Sequence, residues 1–183
     1  MNNEAIVAAS QCWVEGTVVG LNLCPFAALP VEAGRIRYHV CPVSDMAGIY
    51  RAILAEFETM LTLEEAEASL LIVPAGLEAF DDYLNMLDLA EQAIPEAGLE
   101  GQFQLASFHP DYRFEGSDES DPANYTNRSP YPMFHFIREA SLAEALNHYP
   151  NPEKIPQRNV ELLREMGLQA VQQRLARCRE KRG

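Results

Sequence analysis

Two neighbouring segments restrict this chain more than any others. Met46, Ile49, Tyr50, Ile53, Leu54, Phe57, Met60 and Leu61 recur at spacings of three and four, behind Ser44 or Asp45 as a cap. That is an amphipathic helix with one apolar stripe. Ser69-Leu70-Leu71-Ile72-Val73 follows without a polar interruption and stops at Pro74. A strand so apolar is one buried on both faces. A two-sided strand beside a one-sided helix demands layers, with helices covering a sheet.

The rest of the chain fits that frame. Asn3 to about Gly20 reads as a helix with Ile6, Trp13 and Val14 inward and Gly20 as its stop. Arg35 to Cys41 and Gln102 to Phe108 alternate polar and apolar residues and read as strands, and Met133 to Arg138 reads as a fourth. Phe80, Tyr83, Leu84, Leu87, Ala90 and Ile94 mark a third helix before Pro95. Ser141 is placed to cap a short helix, Pro150, Pro152 and Pro156 break the chain, and a final helix is expected from about Gln157 to Arg177. Helices between the first three strands imply right-handed crossovers and parallel neighbours. The helix-free connection from His109 to Pro132 suits an antiparallel fourth strand. The expected fold is α/β (or α+β), a small, mixed, four-stranded sheet covered by about five helices. With 183 residues the chain fits a single domain, 1–183.

Charge narrows the partners. The net charge is −13, and five of the fourteen bases lie in the last ten residues. Before residue 174 there are 9 bases (14 − 5) against 26 acids (27 − 1), and none of the bases falls between Arg51 and Arg113. Such a surface repels phosphate backbones, so nucleic acid is not an expected partner. The basic tail at 174–183 suits a helix C-terminus and is expected to fray into solvent. No apolar run approaches a bilayer span, and the N-terminus lacks the basic flank and apolar stretch of a signal peptide, so no membrane and a cytoplasmic location are expected. Cys12, Cys24, Cys41 and Cys178 include no C-x-x-C pair, and without an export signal neither a disulfide framework nor a zinc site is expected.

Chemistry concentrates in the long connection. It carries His109, Asp111, Arg113, Arg128 and Ser129, with His135 and Arg138 just beyond, among Tyr112, Phe114, Tyr125 and Tyr131. A connection of this length is functional or disordered, and its aromatics and prolines argue for order. Three readings stay open. Arg128 and its neighbours Thr126, Asn127 and Ser129 form an anion pocket with His109 and His135, because guanidinium grips carboxylate or phosphate through paired hydrogen bonds. Alternatively His109, Asp111 and His135 ligate a metal. In the third reading the same charges pin the loop through internal pairs. Cys24 before Pro25 is either a nucleophile activated by a distant histidine or a small buried hydrophobe. His39 and His148 attract less attention, and no nucleotide-binding glycine loop or hydrolase elbow appears.

Gly20-Leu21-Asn22-Leu23-Cys24-Pro25-Phe26-Ala27, Phe108-His109-Pro110-Asp111-Tyr112 and Asn127-Arg128-Ser129-Pro130-Tyr131-Pro132, with His135, Arg138 and Glu139, carry a resemblance. Together they resemble the bacterial family catalogued as domain of unknown function 1415, over nearly the whole chain. The resemblance implies no activity. It implies that a signature falls on Cys24, His109, Asp111, Arg128, His135 and Arg138.

The expectation drawn from these residues is a protein or enzyme that binds a small anionic metabolite at the 109–132 loop and the following strand. Arg128, Ser129, Arg138 and Arg113 would hold the anion. His109 or His135 would move a proton, Asp111 would orient it, and Cys24 is the candidate nucleophile. A non-catalytic protein-interaction module is the alternative, and a metal-dependent enzyme ranks last. The sequence names no cofactor, no resident metal and no oligomeric state, and it does not decide whether the protein is an enzyme.

Overall fold

A computed structural model describes residues 2–180. Among them the helices are α1 (Asn3–Trp13), α2 (Ala28–Glu32), α3 (Met46–Thr62), α4 (Phe80–Glu96), α5 (Glu139–Asn147), α6 (Ile155–Met166) and α7 (Leu168–Glu180). The strands are β1 (Ile36–Val40), β2 (Ala68–Ile72), β3 (Phe103–Phe108) and β4 (Met133–Arg138). They form one mixed sheet in the order β1-β2-β4-β3. The α/β class and the four-stranded mixed sheet agree with the sequence, with seven helices among the described residues rather than about five.

Order within the sheet departs from the expectation of three parallel neighbours. β1 and β2 are parallel, but β4 lies antiparallel between β2 and β3. The reason is that the loop after β3 carries no α-helix to cross over the sheet. It returns the chain beside the strand it has just left, and β4 then occupies the open edge of β2. Every residue of β2 is buried, as its uninterrupted apolar run requires.

Alternation along the strands divides the core in two. On one face Leu71, Phe134, Phe136 and Phe103 pack against Ile49, Ile53 and Phe57 of α3 and Tyr83, Met86 and Ala90 of α4. Asp45 caps α3 by accepting from the Gly48 N–H at 2.9 Å. The turn after β2 needs Gly76: its φ is +96°, and a Cβ would sit 2.0 Å from the Ser44 carbonyl oxygen. On the other face Leu70, Ile72 and Met133 meet Ile6, Ala9 and Trp13 of α1, Leu163 of α6, and Val171 and Leu175 of α7.

The ends of the chain depart most from their expected shape. The first helix does not run unbroken to Gly20; after Trp13 it widens into a π-helix over Val14–Val19. Ser141 does not cap α5, which begins at Glu139. Gly167, at φ 79°, splits the expected last helix into α6 and α7. The basic stretch expected to fray is helical through Glu180, and Lys181 and Arg182 lie outside the described residues. Cys12 and Cys178 are joined as a disulfide across 166 residues, contrary to the expectation of none. Spacing along the sequence could not show this, since the pairing depends on α7 folding back over α1. No helix among the described residues is long and apolar enough to cross a membrane.

Candidate functional site

The residues singled out in the long loop are held by the backbone around them. His109 is buried, its Nε2 lies 2.9 Å from the Leu77 carbonyl, and its Nδ1 accepts from the Asp111 N–H at 3.0 Å. An Nδ1 that accepts must be bare, so Nε2 carries the proton and donates to Leu77. Burial pushes the His109 pKa down, against the opposing pull of the Leu77 bond and Asp111. The ring is neutral and has no free nitrogen for a substrate. Asp111 and Arg113 are exposed.

Arg128 is buried and donates from Nε to the Tyr112 carbonyl (2.9 Å) and from Nη2 to the Glu119 carbonyl (3.0 Å), while stacking on Tyr125. Ser129 donates to the Tyr131 carbonyl at 2.6 Å. Asn124 completes the framework by accepting from the Phe114 N–H and the Ser117 hydroxyl and donating to the Asp118 carbonyl. A short 3-10 helix over Pro122–Thr126 lies inside the loop. The pinning reading describes these contacts well, except that Arg128 pins through carbonyls rather than through Asp111 or Glu115.

Arg138 sits elsewhere. It donates to the carbonyls of Ala66, Met60 and Leu63, closing the C-terminal end of α3. A guanidinium is well matched to that place, where helix carbonyls lack partners and carry negative partial charge.

The two loop histidines are separated by the sheet. His109 packs on Phe80 and Tyr83 of α4, whereas His135 lies on the opposite face, 5.8 Å from the Phe108 ring. Burial holds the His135 pKa down at about 4, so its ring is neutral near pH 7. Among the described residues no three His, Cys, Asp or Glu side chains come together as a metal site. His109, Asp111 and His135 therefore do not form the metal triad that their sequence order permitted. Cys24 is half-buried at the edge of the core facing α1, and burial pushes its thiol pKa up, against hydrogen bonds from the Phe26 and Ala27 backbone. That suits a small hydrophobe better than a thiolate nucleophile.

One polar centre escaped the sequence reading. Glu56 of α3 is 1% exposed and accepts from Arg37 Nε (2.7 Å), from Ser69 Oγ (2.5 Å) and from His39 Nδ1 (2.7 Å). Burial alone would raise its carboxyl pKa, but these three bonds and the Arg37 charge outweigh it and hold the group at about 2. Strand and helix spacing alone cannot show which charges meet across a sheet edge.

Concavity lies elsewhere again, between the end of α5 and the start of α6. A cleft of about 440 Å³ is bounded by Tyr149, Asn151, Lys154, Gln157, Arg158 and Glu161 around Pro150 and Ile155. Lys154 is exposed, and its ammonium has no partner among the described residues. Arg158 lies against Tyr149 Oη and the Asn22 carbonyl, which ties the cleft to the Asn22-Leu23-Cys24 segment. Glu161 accepts from Gln157 at 2.9 Å. A signal for this site was present: the first lysine of the chain stands among Pro150, Pro152 and Pro156, with Arg158 one helical turn later.

A family model described as protein of unknown function (DUF1415) matches residues 5–173. No curated protein and no solved structure matches the chain.

Proposed function

The chain belongs to that family of unknown function, DUF1415, and we propose that it binds a small anionic molecule in the cleft between α5 and α6. The observation that carries this reading is the pairing of Lys154 and Arg158 around a 440 Å³ concavity in a chain of net charge −13. A volume of a few hundred Å³ suits a metabolite. Cations gathered there, against an acidic surface, focus the local field on an anion.

The expected class of ligand is thus kept, and its place moves. Arg128, Ser129 and Arg138 are committed to carbonyls, whereas Lys154 has no such commitment. Arg158 is itself held by Tyr149 Oη, the Asn22 carbonyl and Asn159 Oδ1, so it contributes positive charge to the cleft wall, and Lys154 supplies the mobile point charge that meets the anion. The reading assigns recognition to the cleft and assigns no reaction. It keeps the protein away from nucleic acid, whose backbone the acidic surface repels.

The test is to purify the protein under gentle conditions and identify co-purified small molecules by mass spectrometry. A carboxylate- or phosphate-bearing compound should be present, and it should be absent from Lys154→Ala. A compound retained at full occupancy in that variant would sink the reading.

A further inference from the structure

A second and smaller cavity lies under α7, walled in part by Leu163 of α6. Its volume is about 10 Å³, and it is lined by Trp13, Thr17, Tyr125, Arg128 and Arg174 among aliphatic side chains. Two of its polar atoms, Trp13 Nε1 and Thr17 Oγ1, are buried and have no hydrogen-bond partner among the described residues. Leaving either unpaired costs about 1–3 kcal/mol, so something should meet them.

The donor set decides what that is. Indole N–H and guanidinium only donate, and the threonine hydroxyl is free to donate as well. Neither Arg128 nor Arg174 has a carboxylate partner among the described residues. Arg128 rests on the carbonyls of Tyr112 and Glu119, and Arg174 on that of Gly16. Two guanidiniums without counter-charge therefore border a cavity with two vacant donors and no acid in its wall. Arg128 is buried and Arg174 half-buried, and a partly desolvated pair of cations favours an anion over a neutral occupant. A single water would satisfy the donors but leave the charge.

We propose that this cavity is a monatomic anion site, with chloride as its physiological occupant. Space for about one water-sized body suits a single small ion rather than a bulky organic acid. The π-helix belongs to the site: Thr17, whose buried hydroxyl has no partner among the described residues, lies within it and lines the cavity. Because Arg174 lies on α7, Arg128 on the long loop and Trp13 on α1, the bound ion would tie both ends of the chain to the loop.

The experiment has two parts. Crystals soaked in sodium bromide and measured at the bromine absorption edge should show one anomalous peak in contact with Trp13 Nε1 and Thr17 Oγ1. In solution, sodium chloride should raise the thermal midpoint saturably, beyond sodium acetate at matched ionic strength. Thr17→Val, nearly isosteric, and Arg174→Met should stay folded by circular dichroism and weaken the apparent halide affinity by roughly tenfold or more. No peak in the cavity, or chloride and acetate acting alike, overturns the proposal. So does a peak whose occupancy and stabilising effect both variants leave unchanged, since that would be an adventitious ion only.

Discussion

The two faces of the sheet are built by different parts of the chain, and they differ in how completely they satisfy themselves. The α3–α4 face is assembled from segments that adjoin their strands in sequence. Its one buried charge, Glu56, has three donors around it. The opposite face is assembled from α1, the π-helix, α6 and α7, which come from the two ends of the chain, and from the long loop. It carries a disulfide across 166 residues, and it retains two buried donors without partners among the described residues. A face built locally closes its polar groups within the protein. A face built from distant segments leaves some for a ligand.

If that contrast is right, the largest loss should come from the disulfide. By the chain-entropy argument, a closure of this length contributes about 5 kcal/mol, as an upper figure. Reduction, or Cys12→Ser with Cys178→Ser, should shift the urea midpoint accordingly, and hydrogen exchange should rise in α7 and α1 before α3. Equal exchange on both faces would break the comparison.

Next comes Glu56. Its carboxyl is depressed in the folded state, so the stability it contributes is full above its unfolded value of about 4.3 and is lost as pH falls toward about 2. Glu56→Gln should cost roughly 3 kcal/mol at pH 7 and flatten that acid-side loss. A variant that keeps the wild-type acid slope would show that another group carries it.

Arg128→Lys should cost less, about 2 kcal/mol, because ammonium cannot span the Tyr112 and Glu119 carbonyls as the guanidinium does. Exchange protection should fall across 112–128, measured by mass spectrometry. Lys154→Ala belongs at the end of the series: the thermal midpoint should not move, because the ammonium has no internal partner to lose.

The same contrast explains what could be read from the sequence. Met46 to Leu61 and Ser69 to Val73 announced α3 and β2 because periodicity and continuity are local properties. The antiparallel return of β4 was anticipated from the helix-free loop, but its insertion between β2 and β3 was not, since strand order depends on contacts between distant segments. Arg128 and Arg138 stood out as cations in a stretch otherwise poor in bases. Their partners proved to be carbonyls, which one-dimensional spacing cannot distinguish from a ligand. Glu56 and His39 were missed because each lies on a regular element and only the fold brings them together. Lys154 and Arg158 were passed over because the prolines around them read only as chain breaks.

The claim that the α5–α6 cleft recognises anions is best tried by ¹H–¹⁵N NMR, titrating inorganic phosphate, pyrophosphate, succinate and citrate in turn. At least one should move amide signals saturably within residues 149–161 and leave those of 113–128 in place, and Lys154→Ala should abolish the response. If none of the four does so, or if the shifts centre on Arg113 and Arg128, the cleft is not the site.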